Sequence, residues 1–297
     1  MIAKAIPWNQ LRIKSFLNIN IHMTNSIHTC CELPLCMLPE NLSLNDYDFV
    51  LFHLYRKYPE YKSYFKQMRQ LYPNRIMILD CSAYEFWVKQ EELPMMEYIA
   101  AIFDLLPDYY ILPDTLMNKD KTLEDSFKLL RKIGSVRSQP MGVLQGNSAK
   151  DFSKCLSAYI KSGVNAIAIP FHNRFFHDMA SKDHLSEDMK YAVGRLRTLI
   201  RLSQHNKYWD KIQYLHLLGS HSPMSEKKWY SRVRELKARI RVDSADTGYP
   251  VKCGYEGFPL GTEIEKPKII IDDFIEEDLS DDKYDLIKKN VEEYHNL

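Results

Sequence analysis

Glycine is scarce in this sequence. Ten of the 297 residues are glycine, about half of the usual ~7%. A chain with so little glycine is not a turn-dense β-sandwich or an assembly rich in flexible linkers. The few glycines that fall at the ends of predicted strands therefore mark places where a backbone is approached closely.

Other absences narrow the class of protein. The chain has no run of ~18 apolar residues that would span a membrane, and residues 1–22 contain no sustained apolar segment, so we expect no signal peptide. No G-x-G-x-x-G or P-loop follows an early strand. The net charge is +1, and the six cysteines lack the density of a disulfide framework. These features favour a cytoplasmic location.

Short aliphatic runs alternate with helical patterns along the chain. From the end of one predicted strand to the next, most steps are about the length of a βαβ unit, and several runs are continuously apolar, as in strands buried on both faces. The pattern predicts a single-domain (β/α)8 barrel over residues 1–297, with core motifs in 75–250 and a C-terminal strand and acidic helical extension in 251–297. The predicted strands are Asp48–Leu54, Arg75–Leu79, Tyr109–Leu112, Met141–Leu144, Asn165–Ile169, Gln213–Leu218 and Arg239–Val242, with Lys268–Ile271 or Ile2–Ile6 as the eighth.

Polar residues follow the predicted strands, where a barrel collects its chemistry. They include Asp80, Asp114, Gln145-Gly146, Gly219 and Asp243. An aspartate after a strand often only caps the next helix. Three such aspartates at one rim favour a site, and a pair of carboxyl groups in one pocket suits glycosyl chemistry.

Four motifs in this region resemble those of the tRNA-guanine transglycosylase superfamily, and they occur in that family's order. Asp80-Cys81-Ser82-Ala83-Tyr84 is similar to its Asp-Ser-Gly-Gly-aromatic motif. The other three are Met141-Gly142-Val143-Leu144-Gln145-Gly146, His216-Leu217-Leu218-Gly219-Ser220-His221-Ser222-Pro223 and Val242-Asp243-Ser244-Ala245.

The resemblance implies exchange of guanine in a nucleic acid for a 7-deazaguanine base such as preQ0, through a covalent aspartyl-glycosyl intermediate and without a cofactor. It implies that Asp243 is the nucleophile and Asp80 the general acid and base; Asp246 is a rival nucleophile that the motif register disfavours. The residues that would bind the base are Asp114, Gln145, Gly146, Tyr84, Phe171, Leu218 and Gly219.

The sequence also departs from the family. Pro170-Phe171 and Ser82-Ala83 stand where the family has Gly-Gly, and the zinc signature of the tRNA enzymes is absent. We therefore expect no zinc subdomain and assign no metal ligands, and whether any metal is bound is left open. This pattern most resembles the branch of phages and genomic islands that modifies DNA. The same reaction on tRNA is the alternative, and a non-catalytic barrel that binds nucleic acid or assists a partner is a third hypothesis. The oligomeric state is left open.

Two charged segments and one loop bear on partners. Residues 225–241 carry a net charge of +5, and Lys227, Lys228, Arg232 and Arg234 would track a DNA backbone, unless this is an ordinary amphipathic helix. Residues 263–285 carry a net charge of −7. The loop Phe171–Leu185 is either a lid that helps to extrude a nucleotide or merely an exposed loop.

Overall fold

The computed structural model describes residues 27–235, 240–262 and 267–297, except for the side chains of residues 233–235. In these ranges eight parallel strands form one sheet in the order β1-β8-β7-β6-β5-β4-β3-β2 and curve into a nearly closed barrel, which confirms the predicted (β/α)8 fold. The strands are β1 His28–Cys31, β2 Asp48–Leu51, β3 Met77–Asp80, β4 Tyr109–Ile111, β5 Gln139–Val143, β6 Ala166–Ile169, β7 Tyr214–Leu217 and β8 Ser244–Thr247.

The seam between β1 and β2 is closed mainly by side chains. The backbone N–H of Asp46 donates to the carbonyl of Thr29 at 3.1 Å, and the Asp46 carboxylate accepts from the N–H of Thr29 at 2.7 Å. One residue earlier, the Asn45 side chain accepts from the N–H of Cys31 at 2.7 Å and donates to its carbonyl at 3.0 Å. The amide of Asn45 thus replaces a neighbouring strand at this edge.

Helices alternate with the strands and cover the outside of the barrel. The helix α7 illustrates why they form: the Ser148 side chain accepts from the N–H of Asp151 at its start, and its apolar residues recur at helical spacing and are buried. The helices in the described ranges are α1 Asn41–Leu44, α2 Phe52–Lys57, α3 Pro59–Leu71, α4 Ala83–Val88, α5 Met95–Leu105, α6 Lys119–Ile133, α7 Ala149–Lys161, α8 Arg174–Met179, α9 Glu187–His205, α10 Pro223–Glu235, α11 Tyr249–Tyr255 and α12 Asp281–His295.

The first and last strands differ from the prediction. The sequence pattern does not predict β1. Of the strand predicted at Arg239–Val242, Arg239 lies outside the described residues, and residues 240–242 are not in a strand, because β8 begins only at Ser244. Lys268–Ile271 is not a strand either; only its last residue belongs to a regular element, a short 3-10 helix. Ile2–Ile6 lies outside the described residues.

The C-terminal extension is helical and packs against the barrel. Gly254 of α11 lies so close to α12 that a Cβ atom there would approach the Cα of Ile287 to 2.7 Å. The far end of α12 reaches the seam, where Nδ1 of His295 lies 2.9 Å from the hydroxyl of Thr29. None of the described helices combines the length and the apolar composition needed to cross a membrane.

Candidate functional site

A cavity of about 630 Å³, open to solvent, lies at the carboxyl ends of the strands. Its walls combine carboxyl groups with aromatic and aliphatic side chains and one glycine, as in sites that hold a flat polar ligand. The lining residues are Glu32, Phe49, Leu51, Asp80, Ala83, Tyr84, Glu85, Asp114, Leu116, Pro170, Phe171, His172, Leu218, Gly219 and Asp246.

Five carboxyl groups line this cavity, and burial raises the pKa of most of them, which favours their protonated forms. Burial, reinforced by the charge of Glu85, raises the pKa of Asp80 well above its usual range. Burial raises the pKa of Glu32 to about 7, although Lys252 opposes the shift, and it also raises the pKa of Glu85. Acids with raised pKa values can donate protons at neutral pH, which is what a general acid must do.

Asp246 lies inside the barrel, where N–H groups hold its carboxylate. The backbone N–H of Gly219 lies 3.2 Å from each of its oxygens, and Nε2 of His216 lies 3.0 Å from Oδ1. His216 is itself fixed, since its Nδ1 lies 2.8 Å from the hydroxyl of Ser244. The carboxylate is therefore presented to the cavity in one orientation.

The structure does not bring Asp243 to this cavity. Asp243 precedes β8, and its Oδ2 accepts from the backbone N–H of Leu215 near the start of β7 at 2.9 Å. Its Oδ1 accepts from Nε of Arg241. Successive side chains of an extended segment point to opposite faces of the sheet, and each residue advances the chain by about 3.3 Å. The side chains at positions 243 and 246 therefore point to opposite faces, and the two positions lie about 10 Å apart along the strand direction. Asp243, the predicted nucleophile, thus lies outside the cavity, whereas its rival Asp246 lines it.

Asp114 lies in the cavity, and Gln145 supports it from behind. Nε2 of Gln145 donates to Oδ2 of Asp114 at 2.7 Å, and its Oε1 accepts from the N–H of Met117 at 3.0 Å. Burial raises the pKa of Asp114 to about 6, against the opposing effect of the Gln145 hydrogen bond. Gln145 is fully buried and does not line the cavity. It holds Asp114, and its predicted direct contact with a base is not supported.

Among the glycines that the sequence suggested, only Gly219 borders the cavity. A Cβ there would meet the ring of Phe171 at 2.9 Å, and its φ of +54° also favours glycine. At Gly142 a Cβ would meet Tyr159 at 2.6 Å, and at Gly146 it would meet Asp151 at 2.3 Å. Both of those glycines serve helix packing, so the predicted contact of Gly146 with a base is not supported.

Tyr84, Phe171 and Leu218 all line the cavity and contribute two aromatic rings and one aliphatic side chain to its walls. The rings of Tyr84 and Phe171 meet edge to face with centroids 5.6 Å apart. Before α4, Ser82 adopts the left-handed backbone conformation, with φ 57° and ψ 36°, and its N–H donates to Oδ2 of Asp80 at 2.8 Å. This strained turn fixes Asp80 at the rim.

A buried ion pair supports the Leu218-Gly219 wall from outside the cavity. The guanidinium of Arg195 donates to the carbonyl of Gly219 at 3.0 Å and to that of Leu218 at 3.2 Å. It also pairs with Glu226 at 2.7 Å, and Ser220 donates to the same carboxylate. Arg195 and Glu226 are 1% and 3% exposed. The peptide whose N–H faces Asp246 is thus held at its carbonyl by Arg195.

Only some of the cations of the basic helix α10 are exposed to solvent. The prediction for Lys227 is wrong, because this side chain is buried and donates to the carbonyls of Tyr294 and His295 at 2.6 and 2.9 Å. Burial lowers its pKa to about 8. Lys228 and Arg232 are exposed one helical turn apart, whereas the side chain of Arg234 lies outside the described residues.

The segment predicted as a loop or lid contains the helix α8. Phe176 is fully buried, and Phe175 packs against Phe152 with ring centroids 5.8 Å apart. A Cβ at Gly194 of α9 would lie 1.8 Å from the carbonyl oxygen of Phe176, so the two helices are in direct contact. These phenylalanines belong to the core and do not form a wedge.

Several residues at the site were not predicted from the sequence. Glu32 follows β1, so recognition of that strand would have identified it by its position at a strand end. His216 lies within a motif that suggested no role for it, and Glu85 and Arg195 lie in helices. Within ranges 27–235, 240–262 and 267–297, no group of three His, Cys, Asp or Glu side chains is arranged to hold a metal ion.

Comparison with known proteins adds no family: no protein-family model matches the chain, and no curated protein matches it either.

Proposed function

We propose that this protein is a base-exchange transglycosylase that replaces guanine in DNA with a 7-deazaguanine base. The observation that carries the proposal is the pairing of two different carboxyl groups in one cavity. The Asp246 carboxylate accepts hydrogen bonds from the backbone N–H of Gly219 and from Nε2 of His216, whereas burial raises the pKa of Asp80 well above its usual range. One carboxylate suited to attack and one acid suited to proton transfer are what glycosyl exchange requires.

The reaction has two displacements at the same sugar carbon. Asp246 attacks C1′, the bond from C1′ to N9 of guanine breaks, and Asp80 gives its proton to the departing base. The incoming 7-deazaguanine then returns a proton to Asp80 as its N9 bonds to C1′ and the ester to Asp246 breaks. Both enzyme groups end in their starting states, so no cofactor is consumed.

The cavity walls suit a purine-like base. Tyr84, Phe171 and Leu218 provide flat apolar faces, and Gly219 allows close approach. Asp114 is the hydrogen-bond partner for the base edge, positioned by Gln145. Because a base in a duplex is stacked and out of reach, the target nucleotide must leave the stack to enter the cavity.

Labelled guanine exchange tests the proposal. The purified full-length chain is incubated with labelled guanine and either DNA or unmodified tRNA, and label in the polymer is counted. We expect incorporation into DNA, its loss in Asp246→Asn, and its retention in Asp243→Asn among molecules that remain folded. Asp243 provides a matched control, because it is the same residue type three positions away on the same segment.

Each outcome of this assay has a defined meaning. Label in tRNA alone would transfer the same chemistry to the other polymer. Full exchange by folded Asp246→Asn would overturn the assignment of the nucleophile. No exchange with either polymer, together with no covalent adduct between the wild-type chain and an oligonucleotide, would support a non-catalytic barrel.

A further inference from the structure

Six rings form a continuous row at the mouth of the cavity, and we call this row the aromatic rim. It runs from Trp87 through Tyr84 to Phe171 and ends in a cluster of His221, Tyr191 and His172. In this order, successive ring centroids are 6.0, 5.6, 5.2, 4.3 and 4.9 Å apart. His172 of this cluster also lies near Phe171 and His221, with ring centroids 6.1 and 5.3 Å apart. Tyr84, Phe171 and His172 line the cavity, so the rim leads from the cavity to the protein surface.

The outer end of the rim is unusually exposed. Tyr84 and Trp87 lie three residues apart and share one face of α4, whereas Phe86 points the other way and is buried. Trp87 is 61% exposed and Val88 is 45% exposed. An exposed indole beside a cavity, at the end of a row of rings, indicates a surface that is covered when the protein binds a partner.

The charges near the rim indicate which part of a nucleic acid it contacts. At its inner end Asp188 accepts from His221 at 2.9 Å, and Glu187 lies 2.8 Å from the neighbouring His177. Lys190 pairs with Glu187 at 2.7 Å, so carboxylates offset the positive charge here and this surface is a poor clamp for a backbone. Base faces carry no net charge and stack on aromatic rings of any sequence context.

We propose that the aromatic rim binds the bases next to the extruded nucleotide, as a stacking platform for a single-stranded segment of the substrate. This inference rests on the proposed function. A nucleotide that enters the cavity leaves its neighbours at the mouth, where Trp87 and Tyr84 present their rings. The binding contributed by the rim is therefore insensitive to salt, unlike binding through the exposed Lys228 and Arg232 of α10.

The test measures binding of a fluorescein-labelled single-stranded DNA by anisotropy over a series of salt concentrations. We expect Trp87→Ala to weaken binding about 5- to 100-fold, the usual effect of removing one stacked ring, with an unchanged salt slope. Trp87→Phe should restore most of the affinity because it keeps a ring. Lys228→Ala combined with Arg232→Ala should instead flatten the salt slope.

Phe103→Ala is the matched control. Phe103 is another exposed aromatic residue, 47% accessible on the neighbouring helix α5 and outside the cavity lining. Wild-type affinity in Trp87→Ala, or an equal loss in Phe103→Ala, would overturn the proposal. So would loss of self-association in Trp87→Ala without loss of DNA binding, since the rim would then be an interface between copies of this chain.

The experiments distinguish a failure of the aromatic-rim proposal from a failure of the proposed function. Asp246→Asn should abolish exchange but bind DNA like the wild type, because its carboxylate is not part of the rim. If the wild type exchanges guanine while Trp87→Ala binds and reacts normally, only the rim is wrong. If binding depends on Trp87 but no base is exchanged, only the reaction is wrong.

Discussion

Nε2 of His216 lies 3.0 Å from Oδ1 of Asp246 inside the barrel, and the two side chains are 0% and 6% exposed. The imidazole of His216 packs against the rings of Tyr47 and Phe49, with centroids 6.2 and 5.4 Å away. A ring so enclosed has one available orientation. His216 is therefore a positioning residue for the proposed nucleophile.

Replacement of His216 should separate catalysis from binding. In His216→Leu the Asp246 carboxylate loses one of its N–H partners and its fixed orientation. We expect kcat of base exchange to fall about 10- to 100-fold with little change in KM, because His216 does not line the cavity. Steady-state exchange kinetics on the folded variant provide the measurement, and an unchanged kcat would exclude this role.

Replacements of the Arg195–Glu226 ion pair should affect the stability of the fold and the exchange activity differently. Arg195→Met removes the cation that neutralises the buried Glu226, which should cost about 3–5 kcal/mol of unfolding free energy. Arg195→Met combined with Glu226→Leu should regain much of this loss. Exchange should nevertheless remain impaired in the double variant, because no guanidinium holds the Gly219 carbonyl. Wild-type exchange by the double variant would contradict the positioning role.

Asp243 should contribute to stability and not to catalysis. Its carboxylate accepts from the N–H of Leu215, so Asp243→Ala leaves a buried donor without a partner. We expect a loss of about 1–3 kcal/mol in urea denaturation, with an exchange rate per folded molecule close to the wild-type value. A loss of exchange without a loss of stability would restore Asp243 as the nucleophile.

The raised pKa of Glu32 predicts that the stability of the folded protein depends on pH. Because its pKa in the folded state is raised to about 7, the folded protein binds a proton that the unfolded chain releases between the ordinary glutamate pKa and 7. The stabilisation is complete below the ordinary value and is lost as the pH rises through 7.

Glu32→Gln removes this proton-linked effect. Thermal unfolding should show that the variant is more stable than the wild type at about pH 8, by about 1–3 kcal/mol, after allowance for partial contact with solvent. The difference should disappear near pH 5. A constant difference at both pH values would show that burial of the charge is not its cause.

Most cavity residues that the sequence predicts are identified because they follow the end of a predicted strand. Asp80, Asp114, Tyr84, Phe171, Leu218 and Gly219 all border the cavity, since the apolar runs before them mark strands buried on both faces. The same rule misplaced Asp243. Ile240 and Val242 look like a strand by their β-branched side chains, yet β8 begins after them, at a segment whose serine and aspartate face a polar barrel interior.

Long-range partners account for the remaining differences. Lys227 reads as a surface cation because its neighbours in sequence are basic, but it is buried by α12, some 67 residues further along the chain. Nothing local distinguishes it from Lys228. Gln145 likewise looks like a ligand-binding group until Met117 and Asp114, supplied by another loop, occupy its amide.

The seam beside β1 has a consequence for synthesis of the protein. His295 contacts Thr29 and lies 3.5 Å from the Asp46 carboxylate, and Lys227 is held by the end of α12. The helix residue that contacts Thr29 lies 266 positions further along the chain, so it is synthesised long after the first strand. Until β8 has been made, the edge of β1 that pairs with β8 is an open template for pairing with other chains, so the nascent barrel depends on protection from aggregation during that interval.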